Sequence, residues 1–133
     1  MNLAIDYDET IQDNREKRPG YRMGPPMPGA VSIINRLHTE GHHITIFTAR
    51  NVQEPKVKQA VADWLDYFKI PFHDITNIKR SEFDVYIDNR ALHFQSWTQV
   101  ALDLKKAEES WGVWSNHVPA HGGLIDDITK PLT

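Results

Sequence analysis

The chain has 133 residues, 40% hydrophobic and 25% charged, with a formal net charge of -3 and no cysteine. That length suits one domain able to bury a core without a disulfide or structural metal, and the lack of cysteine excludes disulfides, thiolate metal sites and cysteine nucleophiles. The acidic balance argues against a general nucleic-acid binder. With no basic n-region and no apolar run of membrane length, the expectation is a cytoplasmic protein with no membrane partner.

Leu3 to Tyr7 is a short apolar run ending in acids and predicts a buried strand. Residues 9–27 break the pattern, and Asp13, Asn14, Pro19, Gly20, Gly24, Pro25 and Pro26 predict a long loop. Pro28 suits a first helical turn, after which Val31, Ile34 and Leu37 recur at helical spacing as far as Gly41. His43 to Phe47 predicts a second strand. Pro55 to Tyr67 predicts a second helix, with Val57, Val61, Trp64, Leu65 and Phe68 on one face.

Ile70 to His73 predicts a third strand and Phe83 to Ile87 a fourth, again ending in an acid. Ser96 caps a third helix, with Gln99 placed as in a capping box and Val100, Leu102 and Leu104 as its apolar residues. Beyond Trp114 the periodicity fades, which makes 1–114 the expected domain and 115–133 a tail. Strands alternating with helices imply an α/β domain, a Rossmann-like three-layer α/β/α arrangement with a mostly parallel sheet. Its strand C-termini share one edge, where such sheets bind ligands.

The chemistry falls on that edge. Asp6 and Asp8 follow the first strand, Thr48 and Arg50 the second, and Asp88 the fourth, with Lys79 and Arg80 just ahead of it. Two carboxylates this close raise one another's pKa unless a cation sits between them. Taken singly each feature has a plain explanation: Asp6 and Asp8 as turn or cap residues, Thr48 as a strand threonine, Lys79 and Arg80 as a solvated turn. Acid pair, hydroxyl, cation and acid in register with the strands form the donor and acceptor set of a phosphate site.

That set, Asp6-x-Asp8-x-Thr10 with Thr48, Lys79 and Asp88, resembles the haloacid dehalogenase (HAD) phosphatases over roughly residues 3–105. Ile-Phe-Thr-Ala-Arg and Val-Tyr-Ile-Asp-Asn-Arg-Ala are most similar to small members labelled capsular-polysaccharide or sugar-phosphate phosphatases. The chain departs from many of them in having Asn89 where a second Asp stands, and Arg80 beside Lys79 makes the phosphate-binding cation ambiguous by one position.

The resemblance implies a Mg²⁺-dependent phosphomonoesterase. Asp6 would be the nucleophile, forming an aspartyl-phosphate, and Asp8 would protonate the leaving oxygen and then activate water. Thr48 and Lys79 would hold the phosphoryl oxygens. Asp6, Asp8 through its backbone carbonyl, and Asp88 would hold Mg²⁺.

Thr10 and Arg50 are expected at the substrate. Arg15 and Arg18 join them if the loop cations Arg15, Lys17, Arg18 and Arg22, interleaved with Tyr21, form a rim for an anion; otherwise that loop is only solvated. Neither gap between motifs is long enough for a cap domain. The open site would take a phosphorylated small molecule, or a nucleic-acid end, or be closed by a neighbouring subunit of a homo-oligomer. A non-catalytic binding domain that keeps the fold is the remaining alternative. Seven histidines, including His42-His43 and His117-x-x-x-His121, show no third ligand for a metal site. Trp64, Trp97, Trp111 and Trp114 are expected in the core or under the tail rather than as stacking platforms.

Overall fold

The apolar run after Met1 pairs on both sides. In the computed structural model, which describes residues 1–20 and 22–111, Asn2–Asp6 forms β1, with His43–Phe47 (β2) on one flank and Val85–Ile87 (β4) on the other. Asp74–Thr76 (β3) adds to β2, giving an all-parallel sheet of order β3-β2-β1-β4. The helices are Ala30–Thr39 (α1), Pro55–Tyr67 (α2) and Trp97–Trp111 (α3). This is the expected α/β, Rossmann-like class.

Strand register sorts the sheet into two faces. Leu3, Ile5, Ile44, Ile46 and Ile75 share one, where they form the core with Ile34 of α1 and Val61 and Leu65 of α2. Both helices lie there because β1 to β2 and β2 to β3 are right-handed steps in the same direction. The chain then returns past β2 and β1 to place β4. Strand order therefore reverses at β1, and the crevice beyond its C-terminus is the switch point.

Three boundaries differ from expectation. Gly29, at φ 84, caps α1, so Pro28 precedes the helix instead of opening it. The third strand starts at Asp74 and not Ile70: Pro71 has no N–H for a ladder, and Ile70 is buried in the core cluster. His73 alone marks the approach, its N–H donating to the Ile44 carbonyl at 2.8 Å and its Nδ1 accepting from the Ile44 N–H at 3.0 Å. β4 begins at Val85, although the Asp84 N–H already reaches the Asn2 carbonyl.

The chain divides into two compact units, Met1–Asn89 and Arg90–Thr133. In the second, the Ser96 hydroxyl accepts from the Gln99 N–H at 3.1 Å, as a cap should. The capping box is not closed, because the Gln99 side chain donates forward to Asp103. Ala101 of α3 is buried, while Trp97, Leu102 and Leu104 are exposed, against expectation. The expected 114/115 boundary, the tail, Trp114, His117 and His121 lie outside the described residues. No described helix is long and apolar enough to cross a membrane.

Candidate active site

Asp6 ends β1, and the Ile5–Ile87 pairing puts Asp88 beside it at the same edge. The Asp6 carboxyl is half-buried and pushed up to about 6, first by burial and then by the charge of Asp88. Its donors, the Thr10 hydroxyl at 3.1 Å and the Tyr7 backbone N–H, offset part of this. Thr10 also lies 3.4 Å from Asn89 Oδ1, so it bridges the two acidic strand ends.

Asp8 faces the other way. The Arg50 guanidinium grips its carboxylate, with Nη2 2.7 Å from Oδ1 and Nε 2.9 Å from Oδ2. Those hydrogen bonds hold Arg50 above its ordinary range. Gln12 adds a third donor, Nε2 to Oδ1 at 3.0 Å. The Arg50 cation also lies over the Tyr7 ring, 5.5 Å from its centroid.

Thr48 is buried at the end of β2, its N–H tied to the Thr76 carbonyl and its hydroxyl accepting from the Arg50 N–H at 3.1 Å. The hydroxyl proton is thereby left to donate. Of the two neighbouring cations, Arg80 is engaged with Asp74 at 3.2 Å, whereas Lys79 rests its ammonium over the Tyr86 ring. Arg80 is thus committed to the β3 flank.

The long loop has two parts. Its stem is fixed: Ile11, Gln12 and Asp13 are buried, Asp13 N–H donates to the Pro25 carbonyl, and Met27 N–H to that of Ile11. Glu9 takes φ 63 to make the turn, with the Tyr7 carbonyl accepting from Ile11 and Gln12. The tip is exposed, but Arg15 is not a free rim cation: it hydrogen-bonds Asp13 at 3.1 Å and lies 3.0 Å from Glu9 Oε2. That Glu9 oxygen receives charge but no aligned N–H. Lys17, Arg18 and Arg22 are exposed, and Tyr21 lies outside the described residues.

Gln12, Gly24 and the donor role of Trp64 at this site carry no signal in the sequence. No periodicity distinguishes Gln12 from any loop amide, and Trp64 was placed only as core. Trp64 does pack edge-on against Tyr7, but its indole N–H also donates to the Gly24 carbonyl at 2.9 Å.

Among the described residues no group of three or more His, Cys, Asp or Glu side chains is gathered to hold a metal ion. Asp8 contributes no side chain beside Asp6 and Asp88 because Arg50 and Gln12 hold it away. Two carboxylates coupled across one edge still suit a cation that keeps several waters. His38, His43 and His73 lie at the opposite edge, where the rings of His43 and His73 stack at 4.3 Å with His38 beside them. A cavity of about 360 Å³ lies between α2 and β3, lined by Lys58, Phe72, His73 and Asp74 among others, and none of the predicted site residues lines it.

No protein-family model and no curated protein sequence matches the chain. A solved structure of a conserved Bacteroides thetaiotaomicron protein is similar, at 21% identity and TM-score 0.54, covering 80% of this chain and 91% of that one. A Vibrio cholerae crystal structure is similar at 22% identity and TM-score 0.48, covering 80% and 99%. The first supports the parallel α/β fold and nothing finer.

Proposed function

We propose that the chain is a phosphomonoesterase of the HAD type, acting through an aspartyl-phosphate on Asp6. One observation carries this reading: Asp6, Asp8, Thr48 and Asp88 come from three strands to the one edge where strand order reverses. An Asp6 oxygen would bond to phosphorus as the bond to the leaving oxygen breaks, and that oxygen would take a proton from Asp8. Asp8, now a carboxylate, would take a proton from water as its oxygen attacks phosphorus, freeing Asp6 and releasing phosphate. Thr48 would donate its hydroxyl proton to a phosphoryl oxygen, with Lys79 as the neighbouring cation.

Asp6, Asp88 and the Asp8 carbonyl would hold Mg²⁺, which when bound neutralises the charge between carboxylates and phosphoryl group. Among the described residues no cap domain interrupts the intervals between motifs. A sugar phosphate or similar metabolite is the substrate class proposed. The exposed Lys17, Arg18 and Arg22 support a second reading, a phosphorylated nucleic-acid end.

The test is a phosphate-release screen with Mg²⁺ across sugar phosphates, nucleotides and phosphorylated oligonucleotides, run beside Asp6→Asn. Turnover is expected for the wild type, silenced by chelation, and reduced by a factor on the order of 10⁴ or more in the variant. Comparable turnover in Asp6→Asn would end the reading.

A further inference from the structure

We infer that Gln12 is the positioning residue for Asp8, and that the loop stem exists to hold it; this rests on the phosphatase reading above. Gln12 is fully buried in a segment without regular structure. A buried amide needs partners for both ends. Its Oε1 accepts from the Gly24 N–H at 2.6 Å and its Nε2 donates to Asp8 Oδ1 at 3.0 Å. The amide cannot be flipped, since Gly24 N–H can only donate and the carboxylate accepts.

The anchor continues inward. Gly24 is held by the Trp64 indole, and Trp64 sits on α2 against Tyr7 and Phe68. Gly24 can pass there only without a side chain, because a Cβ would collide with the Asp13 carbonyl oxygen. Three hydrogen bonds therefore lead from helix to carboxylate: Trp64 to Gly24, Gly24 to Gln12, Gln12 to Asp8.

Arg50 also grips Asp8, but a guanidinium at the phosphate edge has a competing partner in the substrate. Once Arg50 turns to the phosphoryl group, the two Asp8 oxygens differ. Oδ1 keeps the Gln12 bond, while Oδ2, whose donor was Arg50 Nε, is released. Oδ2 is then the oxygen that carries the proton, and Gln12 sets where it points.

The experiment uses two esters, an alkyl phosphate and p-nitrophenyl phosphate, whose leaving oxygen needs little protonation. Gln12→Met keeps the length, places no charge beside Asp8 and removes the donor to it. Its kcat/KM should fall roughly ten- to a hundredfold on the alkyl ester and less than about threefold on the aryl ester. Should that buried substitution fail to fold, Trp64→Phe keeps the ring and removes the indole donor. It should give the same selectivity at roughly threefold on the alkyl ester and no loss on the aryl one. Equal losses on both esters, or none, in a folded variant overturn the role of Gln12 and leave the phosphatase reading standing. A wild type inert on both esters overturns both.

Discussion

Asp6 and Asp8 leave the same strand two residues apart and enter opposite surroundings. On the β4 side, Asp6 has Asp88 for a neighbour and only neutral donors, a hydroxyl and a backbone N–H, to offset it. On the β2 side, Asp8 receives a guanidinium through both oxygens and an anchored amide besides. The chain supplies the positive charge for one carboxylate itself. For the other it supplies a like charge and burial, an arrangement that favours a cation between them.

The largest expected effect on folding comes from breaking the brace on the β2 side. Gly24→Ala drives a methyl into the Asp13 carbonyl, and backbone on both sides leaves little room to shift. It should destabilise the protein by about 2–4 kcal/mol. Gly20→Ala, at the loop tip with φ +86 and nothing near its Cβ, should cost only about 1 kcal/mol of backbone strain. Urea melts of the two variants measure the difference; equal losses would mean that the stem is no stiffer than the tip.

The β4 side should respond to pH. The Asp6 carboxyl is raised from 3.8 to about 6, so the folded state binds the extra proton across that window and stability falls as pH rises through it. Above about 6 the penalty is fully present. Solvent screening of a half-exposed carboxylate trims it to about 1 kcal/mol. In chelator, Asp6→Asn should therefore gain about 1 kcal/mol over wild type between pH 4 and pH 7. Mg²⁺ at pH 7 should raise the melting temperature of the wild type and not of the variant. Parallel pH profiles for the two proteins would show that neither burial nor Asp88 raises the Asp6 carboxyl.

The sheet edge was legible in the sequence, though only along the strands. Short runs ending in acids located β1 and β4, and His43–Phe47 was placed to the residue. Asp6, Thr48 and Asp88 followed, because a strand's C-terminus fixes where the next side chain stands. The third strand was misplaced because Ile70 and Phe72 alternate like a strand while serving a turn into the core. Leu102 and Leu104 read as buried and are exposed, since apolar residues two apart cannot share a helix face. The Asp8 clamp was not legible at all. It depends on Gln12 meeting Gly24, and on Gly24 meeting Trp64 forty residues away, and no local pattern encodes such a meeting.

The smallest expected effect separates the stem from the tip by function. Arg15 belongs to the stem's electrostatics through Asp13 and Glu9, so Arg15→Gln should leave KM unchanged. Lys17, Arg18 and Arg22 are exposed and have no ion pair with any described residue. Replacing these three with Gln should raise KM about two- to fivefold at low ionic strength with kcat unmoved, as lost uniform binding does. Near 1 M salt, where charges are screened within about 3 Å, the effect should vanish. It should also be larger for a phosphorylated oligonucleotide than for a sugar bearing one phosphate, because more of the substrate's charge lies within reach of the tip. A rise confined to oligonucleotides would favour the nucleic-acid reading over the metabolite one. KM unchanged on every substrate at low salt would make the tip a solvated connector, and leave the stem as the part of the loop that serves the site.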